Sequence, residues 1–313
     1  MAPEPERSDI LTQLHIDAAR NSTDDFNPFH DPYKWQRIRG NPFPGPIALG
    51  FQLEALAAHR LHLFRQHNGE QALIESHGLR FANYQLNFVD ILAPGDSVQI
   101  EVRKTRKDLE AENGMLSNRL LVRKGKRPVV VGYQRESQKP LALGDVELPD
   151  FGDLSSLQDR SWLMGDAIFM KRKYMNNSNA KNFLVGSMVD QHYYFDELED
   201  RVRYPLIFPV ALLSCALLEK AHTEGYDFYQ APMVYTHHDI SIDRVLVDRL
   251  RSNDRLHLLV QGPEPITAEG GLGKSRIPQV RYRCYGLLAD NETLFRALVS
   301  MARLEDVVAT LRV

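Results

Sequence analysis

The sequence predicts an α+β fold made of two tandem copies of one unit, each an antiparallel sheet wrapped around a central apolar helix. Two observations predict it. Each half of the 313 residues shows the same order of elements: a polar segment, a very apolar helix and several alternating strands. Both helices are apolar around most of their circumference, and such a helix must be covered on nearly every side.

The first half supplies the first helix and its strands. Gly45–Phe64, which is rich in Leu and Ala, predicts the central helix. The segments QLNFVDI and SVQIEVRK, separated by the Pro-Gly turn Ala93–Asp96, predict an antiparallel pair of strands. NRLLVRK and RPVVVGYQRE predict two more strands, joined by a turn at Gly-Lys.

The second half repeats this order. Tyr204–His222 predicts the second apolar helix, and Met170–Asn182 before it predicts an exposed loop. HDISIDRVLVDR, DRLHLLVQ, QVRYRCYGLLAD and ETLFRALVSMARLED predict strands. The Pro- and Gly-bearing segment Ser137–Ser161 predicts a linker. We therefore expect domains at 1–140 and 161–313, with the linker at 141–160.

The composition is that of an ordinary globular protein, 43% hydrophobic and 25% charged, with a net charge of −3. It predicts no general affinity for nucleic acid or an anionic membrane. The N-terminus has no apolar stretch, and Leu206–Leu218, the most apolar run, is too short to cross a bilayer. We expect a cytoplasmic protein in which Cys215 and Cys284 are buried rather than paired in a disulfide or bound to metal.

The segment STDDFNPFHDP contains the candidate catalytic residues. Asp25 and His30 are a carboxylate and an imidazole, the groups that can activate a water molecule and supply a proton. Pro28 prevents a regular helix, so a bend can turn both side chains toward one point, and Asn27 is suited to fix that bend. The same residues also suit a turn that ends a helix, which leaves a structural role open.

Three motifs in order resemble the MaoC-like, R-specific enoyl-CoA hydratase branch of the hot-dog fold, over about Ala18–Glu136. The first is G-D-x-N-P-x-H, the second is G-x-I-A-x-G at the start of the central helix, and the third is a strand–PGD–strand segment. The matching residues are Asp25, Asn27, Pro28 and His30, then Gly45, Ile47, Ala48 and Gly50, then NFVDILAPGDSVQIEV.

The resemblance implies two tandem hot-dog domains, the second a degenerate copy, that hydrate or dehydrate enoyl and 3-hydroxyacyl thioesters of coenzyme A or acyl carrier protein. It implies that Asp25 and His30 are catalytic and that the thioester carbonyl is held at the start of the central helix. It requires neither a metal nor a redox cofactor. The substrate-binding residues that it implies are Asn27, Ala48, Leu49 and Gly50.

Three positions depart from the family pattern. Asp24 replaces a Gly, Asp31 follows His30 without the usual intervening residue, and Leu49 replaces a polar residue. These departures leave two alternatives open: a thioesterase on the same fold, or a protein that binds acyl thioesters without catalysis.

The second half offers Asp190 and His192 before its helix, without Asn-Pro and at another spacing, which predicts a remnant of the motif. Beyond the thioester we expect no nucleic-acid or membrane partner. Because two such units in one chain can mimic a dimer, both a monomer and a homodimer of these chains remain open.

Overall fold

The computed structural model describes residues 9–110, 113–144, 148–266 and 277–311. The strands are β1 (Asp9–Ile10), β2 (Phe81–Phe88), β3 (Ser97–Val102), β4 (Arg106–Asp108), β5 (Met115–Lys124), β6 (Arg127–Ser137), β7 (Ser161–Leu163), β8 (Ile168–Tyr174), β9 (Phe195–Asp196), β10 (Arg201–Val202), β11 (Met233–Asp243), β12 (Arg255–Ile266), β13 (Gln279–Leu287) and β14 (Thr293–Arg303). The α-helices are α1 (Gln13–Thr23), α2 (Gly50–His67), α3 (Gln71–Ser76), α4 (Asn177–Gly186), α5 (Ile207–Ala211), α6 (Leu213–Thr223), α7 (Arg244–Arg249) and α8 (Leu304–Leu311).

Within the described residues, one 12-stranded antiparallel sheet runs through both halves in the order β1-β3-β5-β6-β2-β11-β14-β13-β12-β8-β7, with β4 beside β5. The first unit contributes β1 to β6, with β2 at its inner edge. The second unit contributes β7, β8 and β11 to β14, with β11 at its inner edge. The units join where β2 pairs with β11, in a register that runs from Phe81 opposite Asp243 to Asn87 opposite His237. The predicted α+β architecture of two tandem units is confirmed.

A single hydrophobic core contains both central helices. Leu56 and Leu61 of α2 are at most 1% exposed, and they share one cluster with Phe208 of α5 and Leu213 of α6. Full burial of one such side chain stabilises the fold by about 1.5–3 kcal/mol. The apolar character of these helices over most of their circumference therefore follows from their burial in this core.

The first central helix begins at Gly50 and ends at His67, later at both ends than the predicted Gly45–Phe64. The preceding residues are extended because other segments satisfy their amides. The Ile47 N–H donates to the Phe29 carbonyl, and the Ala48 N–H donates to the Leu92 carbonyl. The apolar pattern continues across this boundary, so it does not reveal where the helix starts.

The second central helix differs from the predicted continuous Tyr204–His222. It is divided into α5 and α6 at Leu212. The predicted strand at HDISIDRVLVDR ends at Asp243, whose carboxylate accepts the N–H groups of Val245 and Leu246 and so caps α7. The predicted closing strand likewise ends at Arg303, where α8 begins.

The prediction of an exposed loop at Met170–Asn182 is wrong. These residues form the end of β8 and the first turns of α4, and the Asn176 side chain caps that helix. Between Ser137 and Ser161 the described residues form neither a strand nor an α-helix.

Helices α1 and α4, one from each half, pack closely against each other. A Cβ on Gly186 in α4 would lie 2.5 Å from the Ala19 backbone nitrogen in α1, so only glycine permits this approach. The Gly186 carbonyl also accepts a hydrogen bond from Nε2 of Gln52, which lies in the first turn of α2. The second half thus supports both elements that flank the STDDFNPFHDP segment.

Both cysteines are buried and free, as predicted, and burial raises the pKa of the Cys215 thiol to about 12. None of the helices in the described part of the chain has the length and apolar character needed to cross a bilayer.

Candidate active site

The candidate site begins where α1 ends. Asp24 closes α1 in the left-handed conformation, with φ of 55°, which glycine adopts most readily and Asp tolerates better than most residues. Its carboxylate is paired with Lys173 of β8. The departure from Gly at this position therefore keeps the backbone path, and the added charge is neutralised from the second half.

A local hydrogen-bond chain shapes the next residues. Asp25 Oδ1 accepts the Asn27 N–H at 2.8 Å, and Asn27 Oδ1 accepts the Phe29 N–H at 3.1 Å. Pro28–His30 then form a single 3₁₀ turn. Asn27 fixes the bend, in line with the role that the sequence suggests for it.

This bend brings Asp25 and His30 together. His30 Nδ1 lies 2.7 Å from the Ile47 carbonyl oxygen, and because a carbonyl can only accept, Nδ1 carries the proton. In the neutral ring Nε2 therefore has a free lone pair. It lies 3.9 Å from Asp25 Oδ2, and the two residues are 6% and 7% exposed. This gap exceeds a direct hydrogen bond and suits a bridging water.

Asp31 has a separate role. Its carboxylate accepts the Tyr33 and Lys34 N–H groups and pairs with Arg20 at 3.0 Å. Burial alone would raise the pKa of this carboxyl, but the bond from Tyr33 and the Arg20 guanidinium outweigh it and hold the pKa below its usual value. Asp31 therefore anchors the turn that follows His30.

The start of α2 lies beside this pair. Among the described residues, none accepts a hydrogen bond from the amides of Gly50 and Phe51, as is usual in a first helical turn. Leu49, which the resemblance assigns to substrate binding, has a side chain that is 2% exposed in the core and an N–H that donates to Gln52 Oε1. The Ala48 N–H is likewise engaged, with the Leu92 carbonyl.

A cavity of about 1000 Å³ opens onto these residues. Four of the predicted site residues line it, namely Asn27, His30, Ala48 and Gly50. Asp25 is not part of the lining. The walls are largely apolar and come from both halves; they include Phe88 of β2, Leu217, Leu218 and Ala221 of α6, Tyr235 of β11, Tyr282 of β13 and Met301 of β14.

The second half contributes walls rather than a second pair. Asp190 Oδ1 accepts the His192 N–H in a 3₁₀ turn that resembles the one at Pro28–His30, but the His192 side chain is exposed. Neither residue lines the cavity. Sequence patterns did not indicate the wall residues Phe88 and Tyr235, because each lies in a strand whose partners are distant in sequence.

No protein-family model matches the chain, and no curated protein has a significantly similar sequence. Solved structures are similar in fold. A MaoC-like dehydratase superposes with a TM-score of 0.55 at 10% identity, over 95% of this chain and 96% of that one. A protein of Chloroflexus aurantiacus J-10-fl, described as a MaoC domain dehydratase, gives 0.56 at 10% identity, over 95% and 93%.

A conserved hypothetical protein of Mycobacterium tuberculosis, described as having a double hot-dog fold, gives a TM-score of 0.55 at 13% identity, over 96% of this chain and 94% of that one. Similarity at this level of identity shows the fold. The chain therefore has the double hot-dog fold described for the Mycobacterium tuberculosis protein, and the two dehydratase structures are similar to it in fold.

Proposed function

We propose that this protein adds water to trans-2-enoyl thioesters and removes it from 3-hydroxyacyl thioesters. The observation that carries the proposal is the 3.9 Å gap between Asp25 Oδ2 and His30 Nε2. The two atoms can accept hydrogen bonds from one water molecule, and His30 borders an apolar cavity large enough for an acyl chain.

The chemistry follows from these two groups. A water held between Asp25 and His30 loses a proton to the pair as its oxygen bonds to C3 of the enoyl thioester. The π electrons of the C2–C3 bond move to the thioester oxygen, and C2 then takes a proton from the pair. Dehydration is the reverse of these steps. Neither step calls for a metal or a redox cofactor.

The negative charge that develops on the thioester oxygen needs hydrogen-bond donors. The Gly50 amide lies at the N-terminus of α2, where the helix dipole favours negative charge, and it makes no bond to the described residues. We assign the thioester carbonyl to this amide. The carrier, coenzyme A or acyl carrier protein, then extends out of the cavity.

One assay tests the proposal. The protein is incubated with a short-chain and a long-chain trans-2-enoyl-CoA, and both enoyl absorbance and free thiol are followed. Loss of enoyl absorbance without thiol is the expected result. Release of thiol would identify a thioesterase instead, and binding without either signal would identify a non-catalytic thioester-binding protein.

Gly50→Ala tests the placement of the carbonyl. The added Cβ would lie 3.0 Å from the Phe88 ring and 3.2 Å from Tyr235 Cδ2, so both rings must shift at the cavity wall. We expect kcat/KM to fall by about 10-fold or more, with a cost of about 1–3 kcal/mol in the free energy of unfolding from overpacking. Enzyme assays and urea titrations measure the two effects.

Gly45→Ala is the matched control, because nothing lies within 4 Å of a Cβ at Gly45. It should leave kcat/KM and the free energy of unfolding unchanged. Equal activity in both variants would show that the thioester does not bind next to Gly50.

A further inference from the structure

Tyr235, a residue of the second half, faces the site formed by the first half. It lies in β11, where pairing with β14 shifts register between Tyr235 and His237 and leaves Thr236 as an extra residue. Such bulges redirect side chains and are common beside active sites. Tyr235 lines the cavity, and its ring is one of the two that a Cβ on Gly50 would meet.

Aromatic neighbours fix the orientation of this ring. His238 meets it edge-on, with ring centroids 4.6 Å apart, and Phe51 and Phe88 follow at 5.9 and 6.1 Å. Edge-to-face and tilted contacts at these separations are favourable. The Tyr235 hydroxyl is therefore held in one place rather than sampling the cavity.

The hydroxyl itself has no partner in the part of the chain that the structure describes. Burial, and after it the charge of the Asp25 carboxylate, raises the pKa of the Tyr235 phenol well above its usual value. The group therefore stays protonated at neutral pH and can donate a hydrogen bond. Tyr235 is half-buried in the cavity wall, so a ligand in the cavity that supplies an acceptor can take this hydrogen bond.

We propose that the Tyr235 hydroxyl donates a hydrogen bond to the thioester carbonyl oxygen and, together with the Gly50 amide, stabilises the negative charge that forms on it. This inference rests on the hydratase function proposed above. Tyr235 keeps its proton throughout, so it adds no step to the reaction. The second half, whose own Asp190 and His192 lie outside the cavity, thereby contributes a catalytic residue to the first.

Tyr235→Phe removes only this hydroxyl. We expect kcat to fall by about 100-fold with KM changed by no more than a few-fold, since the loss of one such donor mainly affects the transition state. Tyr84→Phe is the matched control: Tyr84 lies in β2, is fully buried, and its hydroxyl also lacks a partner among the described residues. It should keep the wild-type kcat.

Wild-type kcat in Tyr235→Phe, with the parent enzyme active, would overturn the inference and leave the hydratase function standing. A second measurement separates the two if the parent protein shows no hydration. The carbonyl stretch of a ¹³C-labelled acyl-CoA thioester is recorded by infrared difference spectroscopy as it binds. We expect a shift to lower frequency that is smaller in Tyr235→Phe than in Tyr84→Phe. Equal shifts, or no binding by the parent protein, would overturn the inference.

Discussion

Replacement of Asp25 by Asn should lower kcat for enoyl-CoA hydration by about 10³-fold, within the range expected for loss of a general base. Asn has nearly the same shape, and its side-chain oxygen can still accept the Asn27 N–H that Asp25 Oδ1 accepts. What is lost is the negative charge and the basic oxygen that faces His30 Nε2. Thioester affinity and the free energy of unfolding should change little by comparison.

Steady-state kinetics and binding of a 3-hydroxyacyl-CoA measure the two quantities separately. Asp24→Asn is the matched control, since it changes the adjacent carboxylate, which is 63% exposed, and Asn also tolerates the left-handed backbone at this position. It should keep kcat within about twofold, because Asp24 does not line the cavity. Wild-type kcat in Asp25→Asn would mean that another group activates the water.

The partner residue gives an internal check. His30→Gln removes the Nε2 lone pair and should cause a loss similar to that in Asp25→Asn. Because both groups act on one water, the double variant should be scarcely slower than the slower single variant. Multiplied losses would indicate that the two residues act independently.

The sequence predicts the site residues best where neighbours in the chain determine the geometry. The bend at Asp25–His30 follows from Pro28 and from two local bonds: the Asn27 N–H donates to Asp25 Oδ1, and Asn27 Oδ1 accepts the Phe29 N–H. The same locality explains why Asp24 can replace Gly: the departure changes the side chain while the backbone keeps its turn.

Prediction fails where distant segments decide. The Leu49 side chain lies in a core that residues of both halves form, and the local motif does not show this. The position of Tyr235 depends on a bulge against β14 and on the pairing of β11 with β2. Neither relation is contained in a local pattern, which is why the contribution of the second half to the site emerges only in three dimensions.

A buried charge network at the far end of α2 carries the largest expected effect on stability. Arg65 Nη1 lies 2.6 Å from Glu136 Oε1, and both side chains are at most 3% exposed. Arg65 also donates twice to Asn118 Oδ1, and Glu136 Oε2 pairs with Arg244 of the second half at 3.3 Å. The network thus fixes the end of α2 to the sheet and to the other unit.

Arg65→Met should lower the free energy of unfolding by about 3–5 kcal/mol, because it removes the closer of the two guanidinium groups paired with the buried Glu136 carboxylate and leaves it with Arg244 and the Gln134 amide. Burial alone would raise the pKa of Glu136, but Arg244 and Arg65 outweigh it and hold the pKa below its usual value. Because the pKa of Glu136 is lower in the folded than in the unfolded protein, its ionised carboxylate stabilises the fold at pH values above the unfolded-state pKa. This stabilisation is lost as the pH falls through the folded-state pKa. The cost of Arg65→Met should therefore be smaller below about pH 4 than at pH 7.

Urea titrations at both pH values measure this difference. Arg60→Met, on the same helix, removes a more exposed pair with Asp9 and should cost about 0–1 kcal/mol at pH 7. Arg65 and Gly50 are about 22 Å apart along the helix axis, so kcat per folded molecule should stay at the wild-type value in Arg65→Met. A lower kcat in the fully folded variant would mean that the network also positions the first turn of α2, and that Arg65 contributes to catalysis as well as to stability.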